Sequence, residues 1–274
     1  MRGLKRRLWR IKQTSMAFLR ADIVEDMSYP MSLILGQLGI VVPIFVSFFI
    51  ADLVGDSREV GGDYLTFATI GLAMGAALQA TLQGFGNRLQ QIQDRGLFES
   101  ILVEPIKWLW MPVAMNQWNM FRGFINAILL LLIGSALGAD IQLSGIPATL
   151  AVVLAGMAAV SSIGILSASL MVLAKRSQPV VILYGLAASI FGGALFSLSQ
   201  LPDWLRPISY LFPHTYVLNG VRSALMDDPG TFVLTVPEAL LGLGVTTVVV
   251  GGVGLFLFQK SLQTARELGL LSGY

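Results

Sequence analysis

The sequence predicts an all-α polytopic membrane protein: six transmembrane helices, an amphipathic interface helix ahead of them, a short cytosolic helix between spans 2 and 3, and a re-entrant helical hairpin before span 6. Three observations predict it. The chain has 274 residues, of which 55% are hydrophobic and 12% charged, with a mean hydropathy of +0.73; average globular usage carries about 25% charged residues. Six apolar runs, at about 31–51, 64–84, 120–138, 146–174, 180–198 and 239–258, are each long enough to cross the ~30 Å hydrocarbon core as a helix. The basic residues alternate in density between the loops that separate those runs. With the N-terminus inside, segments 1–29, 85–122, 175–178 and the stretch after 258 hold fifteen of the Lys and Arg, and the outside segments hold three, Arg58, Arg206 and Arg222. Such asymmetry places both termini in the cytosol.

Composition also excludes several chemistries. There is no cysteine, so disulfide, thiol and iron–sulfur chemistry are ruled out. A single histidine argues against a zinc site built on this chain. The basic residues cluster beside apolar spans, which fits a membrane surface rather than nucleic acid. No catalytic or metal-binding set is identified.

Residues 1–29 combine Arg2, Lys5, Arg6, Arg7, Arg10, Lys12 and Arg20 with Leu4, Leu8, Trp9, Ile11, Phe18 and Leu19. This pattern predicts an amphipathic helix lying in the headgroup plane, Arg6, Arg7 and Arg10 facing anionic lipid and the apolar face sunk below. No small-residue cleavage site follows the first span, so the helix is expected to stay in the mature protein. The remainder, 30–274, reads as one transmembrane domain with no internal repeat.

Within the spans, Pro43 is expected to kink the first helix. Gly71/Gly75 and Gly134/Gly138 stand four apart, a spacing that lets helices approach closely, within the chain or between subunits. Gln37, Gln79, Gln83 and Asn126 either line a polar pathway or bond between helices. Arg122 must reach the inner headgroups or face the bundle, because an Arg at mid-bilayer costs about 2.5–3.5 kcal/mol on insertion scales. Trp108, Trp110 and Trp118 fall near the inner interface, and Trp204, Tyr210 and Tyr216 near the outer one.

Two polar-flanked stretches carry most of the functional information. In Asp94-Arg95-Gly96-Leu97-Phe98-Glu99-Ser100-Ile101-Leu102-Val103-Glu104-Pro105, Leu97, Phe98, Ile101 and Leu102 share one helical face and Pro105 ends the helix. So short an apolar face cannot bury itself alone; on the cytosolic side its natural partner is a soluble protein with a groove. The stretch 199–226 holds Pro202, Pro207 and Pro213 among Trp204, Tyr210, Phe212 and Tyr216. It is too broken to span and too apolar for a solvated loop, so it reads as two short helices dipping back into the membrane and packed on protein. Asp203 is placed to cap the first of them.

The acidic-Arg-Gly start at Asp94-Arg95-Gly96, with Glu99, Leu102-Val103 and Pro105, resembles the corresponding element of ABC transporter type 2 permeases. The stretch Leu201-Pro202-Asp203-Trp204-Leu205, followed by Pro213-His214-Thr215-Tyr216 and Arg222, is similar to that family's pattern before its last span. Leu97 departs from the usual Thr, and His214 from the usual apolar residue. The likeness covers nearly the whole chain. It implies a half-transporter in which two copies, or this chain and a sister permease, enclose a pathway in the cytoplasmic membrane. It further implies a separate ATP-binding subunit in two copies, which would carry ATP and Mg, whereas this chain would carry no cofactor. Residues 96–104 would be the coupling helix, with Arg95, Gly96, Leu97, Phe98, Glu99, Ile101 and Leu102 in contact with the ATPase. Pro202, Trp204, Pro213, His214, Tyr216 and Arg222 would build the re-entrant hairpin.

The chain itself lacks an ATP-hydrolysis signature: a phosphate-binding loop needs Gly-Lys before Ser or Thr, and none of Lys5, Lys12, Lys107, Lys175 and Lys260 follows glycine. An ion-coupled carrier normally needs ionisable residues deep in its spans, which these runs lack, and no serine–histidine pair supports an intramembrane hydrolase. A non-transporting scaffold remains an alternative class. For cargo, a hydrophobic or amphipathic compound is preferred to a polysaccharide or lipid-linked glycan, because the outer loops are small.

Overall fold

The computed structural model describes residues 2–54, 63–94, 111–174, 178–230 and 233–267, all helix or connection, with no strand among them. Among the described residues nine α-helices follow in order. They are α1 (Arg2–Ser28), α2 (Pro30–Val54), α3 (Tyr64–Asp94), α4 (Met111–Ala136), α5 (Ile146–Ala174), α6 (Gln178–Phe191), α7 (Arg206–Ser209), α8 (Pro213–Leu225) and α9 (Val236–Glu267).

Local chemistry sets the boundaries. Pro30, which lacks an N–H to lose, opens α2 directly after Tyr29. Asp63 precedes α3 and accepts the Leu65 N–H at 2.9 Å, satisfying one of the unpaired donors of the first turn. At the other end of α4, Gly138 takes φ +110, and the Ala139 N–H returns to the Gly134 carbonyl at 2.9 Å, the glycine closure that satisfies terminal carbonyls. Before α9 the Thr235 N–H and hydroxyl donate to Glu238 Oε2 at 2.9 and 2.8 Å, which pins the helix entry. Pro43 stands inside α2 without ending it.

Among the described residues five helical stretches are long and apolar enough to cross a membrane: Pro30–Ala51, Tyr64–Arg88, Ala114–Ala136, Leu143–Ser169 and Val236–Thr264. The predicted fifth run, 180–198, behaves differently. Its helix α6 has 14 residues, about 21 Å of rise, and stops at Gly192-Gly193, where Gly193 adopts φ +70. A side chain with a Cβ rarely takes that conformation. The chain then turns through a 3₁₀ segment, Leu198–Gln200, so among the described residues the run at 180–198 is not one full-length helix but a 14-residue helix followed by an irregular segment. α3 runs ten residues beyond the predicted end of its span, and α4 starts nine residues before its own.

The core forms around α3. Phe67, Ile70, Met74, Leu78 and Leu82, spaced three or four apart, are all nearly inaccessible. They meet Ala127 and Leu130 of α4, Val153, Met157 and Val160 of α5, and Val217, Leu218, Val221 and Leu225 of α8. α9 packs mainly along α5, and α8 is wedged between α5 and α9. α2 stands at the periphery, with Met31, Leu35, Leu38 and Phe49 exposed. In a bilayer such a face meets lipid or another protein, and carries none of the penalty it would carry in water.

Candidate functional site

Two polar constructions interrupt the apolar packing, one at each end of the bundle. The first is centred on Arg222 in α8, which is 2% exposed. Its Nη1 donates to the Gly193 carbonyl at 2.7 Å, and its Nη2 to the Ala194 carbonyl at 2.9 Å and the Phe67 carbonyl at 3.3 Å. The guanidinium carbon lies 3.3 Å from the centroid of the Phe67 ring, a cation–π placement. These partners explain why a cation is tolerated in an apolar core: the carbonyls just past the end of α6 carry the partial negative charge of a helix C-terminus, and the planar fork spans several of them together. Gly71 of α3 completes the fit, since a Cβ there would overlap the Ala194 carbonyl oxygen and come within 3.0 Å of Arg222 Nη2.

Around that clasp the stretch from Phe191 to α8 is held by its own polar groups. The Thr215 hydroxyl donates to Ser209 O at 2.6 Å and approaches Phe191 O at 3.2 Å. Tyr216 Oη donates to Tyr210 O at 2.9 Å, and Gly242 of α9 leaves the room that the Tyr216 ring fills. Pro213 occupies the first turn of α8, where its missing N–H costs nothing. His214 is buried with Nδ1 unpartnered, its ring 5.8 Å from that of Tyr184 in an edge arrangement. Trp204, 74% exposed, and Pro202 lie on the surface of the turn. Asp203 does not cap: Leu205 precedes α7 without a side-chain cap, and Asp203 instead pairs with Arg206 at 2.8 Å. Arg206 also donates to Leu198 O and Ser199 O at 3.2 and 2.9 Å, and that long fork draws the carboxylate away from the helix start.

The second construction joins the end of α1 to α3 and α4. Asp22, Glu25 and Asp26 stand on one face of α1. Arg88 of α3 bridges Asp22 at 3.1 Å and Glu25 at 3.3 Å, with its guanidinium 5.9 Å from the Phe18 ring. Arg122 of α4 pairs with Asp26 at 2.8 Å, and the Trp118 indole N–H donates to the same Oδ2 at 2.6 Å. The Gln117 amide donates to the Ser15 carbonyl. Burial pushes the Asp22 carboxyl above the ordinary carboxylate range, while Arg88 pulls it the other way. The arrangement encloses a cleft of about 420 Å³ lined by these charges with Tyr29, Asn87, Gln91 and Asn119. Arg122 therefore faces the bundle through a carboxylate, the second of the two placements open to it. We predict that Arg122→Gln lowers stability by about 1 kcal/mol and that the loss disappears in an Asp26→Asn background. A double-mutant cycle of thermal unfolding in detergent measures it.

The expected ATPase-contact residues Arg95, Gly96, Leu97, Phe98, Glu99, Ile101 and Leu102 lie outside the described residues. Arg6, Arg7, Trp9 and Arg10 fall within α1, but their side chains also lie outside the description. Of the glycine pairs, Gly71 and Gly134 are used inside the chain, against the 194 turn and Thr69, whereas nothing lies within 4 Å of a Cβ on Gly75. Gln79 packs beneath Gly185 of α6, Asn126 is buried, and Gln37 Oε1 is buried without a partner. The acidic face of α1 escaped the sequence reading, although three carboxylates at i, i+3 and i+4 on an otherwise basic helix were its signal.

Comparison with curated protein sequences finds no match. The profile of the ABC-2 type transporter family matches residues 27–226, a range that runs from the end of α1 through the Arg222 clasp to the end of α8. The chain accordingly belongs to the ABC-2 type transporter family and is a multi-pass membrane permease.

Proposed function

We propose that this chain is the permease subunit of an ATP-binding cassette exporter, moving a hydrophobic or amphipathic compound outward across the cytoplasmic membrane with both its termini in the cytosol. The family match over residues 27–226 carries the reading, and the absence of any Gly-Lys pair in the sequence supports placing ATP and Mg on a separate subunit. Two permeases, identical or sister chains, would pair with two ATP-binding subunits. The segment 96–104 would seat in the ATPase through Leu97, Phe98, Ile101 and Leu102, with Arg95 and Glu99 flanking. Nucleotide would then shift a two-state equilibrium of the bundle, because it binds one arrangement of the subunits better than the other.

The cargo preference draws on the small outer connections and on the apolar faces that α2 and α6 present, among them Leu35, Leu38, Ile182 and Leu186. Leu97→Asp combined with Phe98→Asp is expected to abolish co-purification of the ATP-binding subunit in mild detergent while membrane insertion continues. Undiminished co-purification of that subunit would overturn the docking assignment.

A further inference from the structure

We propose that the groove between α4 and α5 holds one acyl chain of an ester-linked phospholipid, with the ester carbonyl accepting a hydrogen bond from the Thr149 hydroxyl. These two helices follow one another in the chain yet touch little, and α3 and α8 pack behind them. The gap is a hollow of about 330 Å³ whose floor is Met74, Ala127, Val153 and Leu225, all buried. Its rim, Ile128, Leu132, Ile146 and Leu150, is exposed. In a chain that crosses a membrane, such a rim opens onto lipid and not onto water. Shape favours a linear tail. From Phe124 to Ser135 the lining residues of α4 recur at helical spacing, a strip about 16 Å long. Spread along that length, the volume leaves room for a single alkyl chain.

Polarity at one end favours an ester. Among the described residues the lining is apolar except for Ser135 and Thr149, which stand in the last turn of α4 and the first turn of α5. Hydroxyls elsewhere in the long helices donate to the carbonyl four residues back: Thr81 to Ala77, Ser162 to Ala158, Thr246 to Gly242 and Thr247 to Leu243. Thr149, 9% exposed, differs, for its Oγ1 has no partner. A hydroxyl left without a partner in hydrocarbon is costly, and an ester carbonyl, which accepts without needing to donate, satisfies it. That end of the two helices is where hydrocarbon gives way to the interfacial layer, so a chain lying in the groove brings its ester to Thr149. The inference needs only that the chain spans a membrane, and stands apart from the exporter reading and from the choice of cargo.

The test places the full chain in nanodiscs of diester phosphatidylcholine, or of its diether analogue, with a trace of diester phosphatidylcholine that carries a diazirine midway along one acyl chain. After irradiation, adducts are mapped by proteolysis and mass spectrometry. Diether bulk lipid lacks the carbonyl and competes poorly for Thr149. Adducts on 124–135 and 146–153 are therefore expected to be about fivefold more abundant in diether than in diester discs, the ratio that one net hydrogen bond supplies. Adducts on the exposed α2 face, residues 31–49, should not change between discs. Thr149→Val breaks no bond within the chain and should bring the groove adducts in the two discs to equality. Leu150→Trp, which fills the groove, should remove them from both. Equal groove adducts in the two discs with the unaltered chain, or a difference that survives Thr149→Val, would overturn the assignment. So would loss of groove labelling on adding cholesterol, which would make a sterol the occupant. Should Leu150→Trp fail to fold, the comparison of discs for the unaltered chain and for Thr149→Val decides alone.

Discussion

Arg222→Met is expected to destabilise the bundle by about 3–5 kcal/mol, the range seen when one member of a buried polar set is removed and its partners stay behind. Methionine keeps much of the side-chain volume and removes every donor. The carbonyls of Gly193, Ala194 and Phe67 then lose the guanidinium, in a region where α8 is almost wholly buried and water cannot replace it cheaply. Arg222→Lys should recover only part of the loss, since an ammonium cannot lie flat on the Phe67 ring while reaching carbonyls on two elements. Thermal unfolding in detergent, followed by tryptophan fluorescence and by size-exclusion recovery, reads the difference. A lysine variant as stable as the native chain would contradict the planar-clasp account.

The second large effect concerns Gly71. Gly71→Val drives a branched side chain into the Ala194 carbonyl and against Arg222, and should cost at least about 3 kcal/mol, the upper end of overpacking penalties, because backbone rather than a flexible side-chain tip must move. Gly75→Ala, one turn along the same helix, supplies the contrast. Nothing lies within 4 Å of a Cβ there, so the change should be neutral or stabilising by up to about 1 kcal/mol, the difference in helix propensity. Unfolding midpoints of the two variants measured side by side check both expectations, and equal loss in both would show that α3 tolerates no added volume at all.

Hydropathy made α2, α3, α5 and α9 legible, because transfer of an apolar run into hydrocarbon is the term that hydropathy measures. The same term gave no sign of the break after α6. Residues 192–198 are almost as apolar as the helix before them, and only Gly192-Gly193 marks the break; a backbone conformation open to glycine leaves no trace in an average over side chains. That 199–226 forms short helices and not one long one was legible for the opposite reason, since three prolines in an apolar stretch forbid a regular span. Arg222 was visible as a residue of the hairpin, but its partners were not, for they are carbonyls and carry no sequence identity. The cleft was hidden because Arg122 and Asp26 are 96 residues apart, and pairing at that separation depends on how α1 lies across α4. Asp203 shows the reverse failure: local capping chemistry was read correctly as possible, and a better partner three residues away took the carboxylate.

We propose that a cytosolic ATP-binding subunit seated on residues 96–104 works the membrane bundle. The natural chain has no cysteine, so a single Ser100→Cys is a clean reporter. In intact cells this cysteine should resist a membrane-impermeant maleimide, react once the membrane is opened, and trap an ATP-binding subunit when a thiol cross-linker is supplied. Labelling from outside intact cells, with no such subunit trapped, would contradict the account.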